Sequence, residues 1–197
     1  MSTTTDGADA RATGLLEAHR DVRRAHRLAV TRQASSVLLG RPDQVFFERL
    51  PLVARAVAEL PWGPVRTGLR DFCEHAATTP EPLLREHHAE VFGPPPERPL
   101  CLAGDGAPPR EELAAAYAGR TVPGGREPDH LAAVLELAAR SDAGEFLLLR
   151  LRPGLDLLGE ALRDRGTPYA RVVDAVRASL AGDPLVPPQR TDTDAVG

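Results

Sequence analysis

Residues 46–60, FFERLPLVARAVAEL, carry apolar side chains at a helical spacing along their whole length. The side chains at i, i+4, i+7, i+11 and i+14 are Phe46, Leu50, Val53, Val57 and Leu60. This spacing places all of them on one face of an α-helix and leaves the charged residues on the other face. The stretch therefore predicts an amphipathic helix that packs against a core.

The same period recurs along the chain. Residues 65–76 and 169–180 repeat it clearly, and residues 30–38 and 131–138 repeat it more weakly. Alternating apolar and polar runs, which are typical of strands, are absent, and β-branched residues are few. Prolines stand at or near the start of the periodic segments, at positions 42, 61, 80, 128, 153 and 168. We predict an all-α, single-domain bundle of about seven to nine helices.

One internal segment interrupts this pattern. Residues 93–109 read GPPPERPLCLAGDGAPP and contain six prolines, so they predict a proline-rich loop that is the most mobile internal part of the chain. A short helical segment follows at 110–117, and residues 121–126 look irregular. Polar tails at 1–14 and 186–197 are expected to be disordered, which leaves residues 15–185 as the helical domain.

The amino-acid composition argues against several classes of function. The chain has no lysine, which excludes a P-loop and a Schiff-base lysine, and its formal net charge of -4 argues against nucleic-acid binding. Its start does not resemble a signal peptide, and no apolar run is long enough to span a membrane. The two cysteines do not form a CxxC pair. We expect a soluble cytoplasmic protein without membrane insertion.

Catalytic and metal-binding motifs are missing. The sequence contains no GxSxG, no HExxH and no EF-hand loop, so we expect neither an enzyme nor a resident metal or cofactor. His87 and His88 are adjacent and would point roughly 100° apart on a helix, which favours packed histidines over a shared metal ion.

A charged turn opens the apolar helix over 131–138. Glu127, Pro128, Asp129 and His130 precede it directly. Proline suits the first turn of a helix, and an aspartate there complements the positive end of the helix dipole. Neither argument explains the histidine, because a cation is unfavourable at a helix N-terminus. Asp129 and His130 are therefore candidate functional residues.

This turn carries a resemblance to a known family. Residues 127–139, EPDHLAAVLELAA, resemble the PDH signature of the redox-enzyme maturation chaperones, which include the TorD-like proteins and the nitrate reductase delta-subunit (NarJ-type) assembly chaperones. Residues 166–180, GTPYARVVDAVRASL, look most like the nitrate reductase branch. Weaker similarities lie at residues 35–42, 47–61 and 84–92, and the resemblance covers about residues 28–183. The chain departs from the family where the proline-rich loop stands and where Glu127 directly precedes Pro128.

The resemblance implies a helical chaperone that binds the catalytic subunit of a molybdenum oxidoreductase. The contact would be the N-terminal leader of that subunit or its vestige, held while the molybdenum cofactor is inserted and the complex assembled, with a respiratory nitrate reductase as the expected client. Carried onto this chain, Asp129 and His130 would contact the client, with Glu127 beside them. Phe92, at the end of its helical segment, and Leu131 would line the groove and supply apolar contacts. A carboxylate in the groove suits an arginine-bearing leader. The chaperone would be a monomer or a homodimer.

Two alternatives stay open. A helical metal-dependent hydrolase would use His87, His88, Asp129 and His130, and it requires that these four side chains converge on one ion. A helical scaffold or regulator would share the fold and lack the leader-binding role. Metal analysis of the purified protein separates the hydrolase from the chaperone.

Overall fold

The computed structural model describes residues 5–93, 100–104, 107–117 and 121–181, with side chains from residue 14 to residue 180 of these ranges. They form nine α-helices: α1 (Thr5–Leu38), α2 (Gln44–Ala58), α3 (Pro64–Thr78), α4 (Glu81–Phe92), α5 (Arg110–Ala115), α6 (Leu131–Ala138), α7 (Asp142–Arg150), α8 (Arg152–Asp164) and α9 (Tyr169–Ala181). Within these ranges there is no strand, only one isolated backbone bridge between Cys101 and His130. The all-α, single-domain prediction is confirmed.

Local signals set where several helices begin. The carboxylate of Asp43 accepts a hydrogen bond from the N–H of Phe46 at 2.9 Å, which caps α2. Proline stands in the first turn of α3, α4 and α8, where its missing N–H costs no hydrogen bond. Pro51 lies inside α2 on its exposed side. The predicted proline joints therefore coincide with helix starts.

Helix α6 lies at the centre of the bundle. Six of its eight residues are buried, and it packs against α1 and α7. The hydroxyl of Ser36 on α1 donates to the carbonyl of Ala132 at 2.7 Å. The buried guanidinium of Arg32 donates to the carbonyl of Ala138 at 3.0 Å and pairs with Glu145 at 2.7 Å. Helix α1 thus donates hydrogen bonds to two carbonyls of α6, and one of these carbonyls lies at the C-terminal end of α6.

Tyr169 joins α4 and α3 to the last helix of the chain. Its buried ring lies 4.8 Å from the ring of Phe72 on α3 and 4.9 Å from that of Phe92 on α4, measured between centroids. Both distances are those of favourable aromatic pairs. Helices α3 and α9 also pack directly against each other.

The first half of α1 projects beyond the packed part of the bundle. Leu15 is 73% exposed and Val22 is 68% exposed, and nearly all of residues 14–27 are exposed. Because α1 begins at Thr5, it overlaps the tail predicted over residues 1–14, and the extent of disorder there stays a prediction. None of the helices in the described ranges combines the length and the hydropathy that a membrane span requires.

The proline-rich segment contributes to the core. Leu100 is fully buried and Leu102 is 4% exposed, so both belong to the same hydrophobic cluster as α6. Residues 94–99 and 105–106 of this segment lie outside the described residues, as does the predicted C-terminal tail. The predicted mobility of the segment stays a prediction, but its middle is packed.

Candidate functional site

The turn at residues 127–130 holds the proline-rich segment in place. The N–H of Leu102 donates to the backbone carbonyl of Asp129 at 3.1 Å. The N–H of the next residue, Ala103, donates to the Asp129 carboxylate at 2.9 Å. Asp129 is only 8% exposed, so its side chain accepts this bond in a largely dry environment. One residue therefore binds two successive backbone groups of a segment far from it in sequence.

Tyr117 ties the end of α5 to the same turn. Its hydroxyl donates to the carbonyl of Pro128 at 2.9 Å, and its side chain is 2% exposed. Burial raises the pKa of Tyr117 well above its usual range, and the nearby carboxylates of Asp129 and Glu136 raise it further. The hydroxyl therefore stays protonated and remains a donor across the physiological range.

His130 begins helix α6 with its backbone. Its carbonyl accepts from the N–H groups of Ala133 at 2.8 Å and Val134 at 3.0 Å, and its backbone pairs with that of Cys101. The side chain is 3% exposed and makes no side-chain cap to the helix. The imidazole therefore lies inside the protein at the edge of the turn, where a partner can reach it only if the rim moves.

A cleft of about 940 Å³ opens beside the turn. It lies between the α1–α2 connection, the segment around residue 102, the start of α5 and the turn itself. Its lining residues are Arg41, Cys101, Ala103, Pro108, Arg110, Leu113, Gly124, Gly125, Arg126, Glu127, Pro128, Asp129 and His130. The size matches that of a site for a ligand or a few peptide side chains.

The charges of the cleft are mixed. Among the described residues that line it are three arginines, Arg41, Arg110 and Arg126, and two acidic residues, Glu127 and Asp129. Glu127 pairs with Arg110 at 2.7 Å, and the side chains of the two residues are 46% and 73% exposed. Because Asp129 is buried, Glu127 is the carboxylate that solvent and a partner can reach among the described residues that line the cleft. The cleft is not the simple acidic groove that an arginine-bearing leader alone would suggest.

The predicted site residues separate into two groups. Glu127, Asp129 and His130 line the cleft together. Phe92 and Leu131, expected to line the same groove, do not line it: they are 1% and 0% exposed and belong to the core. Phe92 is covered by Tyr169, and Leu131 lies on a helix that is apolar on nearly all sides. As the structure stands, a client peptide cannot contact either side chain.

The histidines of the hydrolase alternative lie in two different places. His87 and His88 pack beside the ring of Tyr169, and a ring nitrogen of His87 lies 2.9 Å from the Thr167 hydroxyl. His130 lines the cleft, and neither of the other two histidines does. Over the described ranges, no three His, Cys, Asp or Glu side chains are grouped so that they could hold a metal ion. The metal-dependent hydrolase requires four side chains that meet at one ion, and the described residues contain no such group.

Sequence reasoning missed several residues that build the cleft. Tyr117 and Ala103 bind the turn, and Gly154 on α8 lets the loop approach, because a methyl group there would lie 2.1 Å from the carbonyl oxygen of Leu102. The chain has only two tyrosines, and both are buried and bind structural partners. The rarity of tyrosine in this sequence was the only feature that could have drawn attention to Tyr117.

Comparison with known proteins adds no assignment. No family model matches the chain. No curated protein matches it significantly either.

Proposed function

We propose that this protein is a maturation chaperone for a molybdenum oxidoreductase. It binds the N-terminal segment of the apo catalytic subunit, assists cofactor insertion and complex assembly in the cytoplasm, and catalyses no reaction itself. The proposed client is a respiratory nitrate reductase. The observation that carries the proposal is the position of the Glu127–His130 turn, the part of the chain most similar to the chaperone signature, in the wall of an open cleft.

The accessible carboxylate of Glu127 is the proposed contact for an arginine of the client. Its present partner, Arg110, is an exposed side chain on a neighbouring element, so the pair can exchange without disturbing the core. Such an exchange replaces one surface ion pair by another and contributes modestly to affinity. The remaining affinity would come from apolar and backbone contacts along the cleft.

Asp129 has a positioning role in this proposal. Its carboxylate orients the backbone at Ala103, which itself lines the cleft. Loss of that bond would move the wall against which the client lies. Asp129 and Glu127 therefore contribute differently: the first shapes the cleft, and the second contacts the client.

The first test identifies the client. Tagged full-length protein is expressed in its native cell, and co-purifying proteins are identified by mass. The proposal expects the large subunit of a molybdenum oxidoreductase. Recovery of abundant partners that include no such subunit contradicts the proposal.

The second test addresses the cleft. A synthetic peptide copying the N-terminal residues of the captured subunit is titrated calorimetrically into wild type, Glu127→Gln and Glu86→Gln. Glu86 is exposed on α4, away from the cleft, and serves as the matched control. We expect Glu127→Gln to weaken binding roughly two- to fivefold, with a smaller difference at high salt, and the control to bind normally. Equal binding by all three proteins would place the client elsewhere.

A further inference from the structure

The single tryptophan of the chain is one of its most exposed apolar side chains. Trp62 lies between α2 and α3 and is 74% exposed. The guanidinium of Arg66 covers one face of its ring at 4.1 Å from the centroid and also donates to the carbonyl of Leu60 at 3.0 Å. This cation–π contact holds the ring in a fixed position and leaves its other face open.

The open side of Trp62 forms part of an apolar groove of about 270 Å³. The groove lies between α1, the α2–α3 connection and the end of α9. Its lining residues are Arg24, Arg27, Leu28, Thr31, Leu60, Pro61, Trp62, Gly63, Pro64, Val65, Ala178 and Ser179. The charged groups among these described residues are both arginines. Because a helix is about 10 Å across, a groove of this size fits an extended segment better.

We propose that this groove binds the chain's own residues 183–188, DPLVPP. Helix α9 is described as far as Ala181, and Ala178 and Ser179, three and two residues before it, line the groove. The seven residues 182–188 reach at most about 25 Å when extended, which is ample for a site that begins at the end of the helix. Residues 182–197 lie beyond the described part of the chain, so the proposal rests on the groove and on the sequence of the segment.

The chemistry of the segment matches that of the groove. Leu185 and Val186 supply apolar side chains, and the following prolines favour the extended conformation that aromatic-lined grooves recognise. Asp183 would supply a carboxylate to a groove that two arginines, Arg24 and Arg27, help to line. Since the segment is tethered beside its site, its effective concentration is millimolar and weak contacts suffice.

Fluorescence of Trp62 tests the proposal directly, because this residue is the only tryptophan. The full chain is compared with a chain that ends at Ala181 and with the full-length double variant Leu185→Ser, Val186→Ser. Both altered chains should show red-shifted emission and at least roughly twofold stronger quenching by acrylamide, because the ring face that Arg66 does not cover becomes accessible to the quencher. Val196→Ser is the matched control and should behave as wild type. Circular dichroism checks that all chains retain their helices.

The outcome that overturns the proposal is equal emission and equal quenching in the full and shortened chains. A difference that grows with protein concentration also overturns it, because the segment would then come from a second copy. A synthetic peptide of residues 182–197 added to the shortened chain should restore the wild-type emission in a saturable way. Trp62→Phe removes the signal and identifies its source.

Discussion

The first half of α1 and the segment around Leu102 are opposites in regularity and in burial. Residues 14–27 form uninterrupted helix, yet Leu15 is 73% exposed. Residues 100–104 contain little regular structure, yet Leu100 is fully buried and the backbone at Ala103 is bound by a buried carboxylate. Regular backbone geometry and burial are therefore separate properties in this protein.

The physical reason lies in what each region removes from water. A helix whose side chains are mostly exposed is held largely by its own backbone hydrogen bonds, which are marginal in water. The loop buries leucine side chains and satisfies its backbone groups with Asp129, so it gains both from hydrophobic burial and from hydrogen bonding. Equivalent substitutions in the two regions should therefore change the free energy of unfolding by very different amounts.

The largest effect is expected for Leu100→Ala. This substitution removes a fully buried side chain and leaves a cavity in the core, so we expect a loss of about 3–5 kcal/mol in the free energy of unfolding. Urea denaturation followed by circular dichroism measures it. A loss below about 1 kcal/mol would mean that the loop is not part of the core.

A smaller loss is expected for Gly154→Ala. The new methyl group would lie 2.1 Å from the carbonyl oxygen of Leu102, so the loop or α8 must shift. We expect a loss of about 2–3 kcal/mol, together with weaker client binding, because the displaced segment forms the cleft wall. Gly14→Ala is the matched control, since nothing lies within 4 Å of its new methyl group. Equal stability of both variants would show that the loop adapts freely.

The next largest loss in the free energy of unfolding is expected for Asp129→Ala. The N–H of Ala103 loses its acceptor, which we expect to cost about 1–2 kcal/mol. Asp129→Asn keeps an acceptor oxygen in the same place and should lose at most half as much. Thermal melts of the two variants measure the difference. If both melt alike, the carboxylate's charge matters more than its hydrogen bond.

The smallest effect is expected for Leu15→Ala. The side chain is exposed and alanine is an equally good helix former, so stability should change by less than about 0.5 kcal/mol. Urea denaturation alongside Leu100→Ala gives the direct comparison. A loss above about 1 kcal/mol would reveal a partner for this half of α1, in the same chain or in a second copy.

Much of the fold was predictable because its signals are local. The 3.6-residue period identified α2, α3 and α9, and prolines marked where helices begin. The burial of Leu100 and Leu102 was not recognised, because a run of prolines around them suggests an exposed loop. The two leucines stand on either side of Cys101 and therefore share one side of an extended backbone. This spacing was the only local indication that one side of the segment faces the core.

The site was predictable only in part, because its geometry depends on distant contacts. The turn at Glu127–His130 was identified, and it does line a cleft. The role of Asp129 depends on Ala103, 26 positions earlier, which no local pattern indicates. Phe92 was assigned to the groove because it ends a helix, but the sequence does not show that Tyr169 covers that end.

The contact between α1 and α6 has a consequence for how the chain is made. Arg32 binds a carbonyl 106 positions further along the chain. A ribosome adds about 5–20 residues per second, so the second half of α1 waits for at least several seconds before its partner has been synthesised. During that interval helix α1 can pack against α2 and α3, but the part of its surface that packs against α6 has no native partner. Nascent chains stalled before α6 is made and after α6 has emerged from the ribosome should therefore differ in their susceptibility to protease within α1.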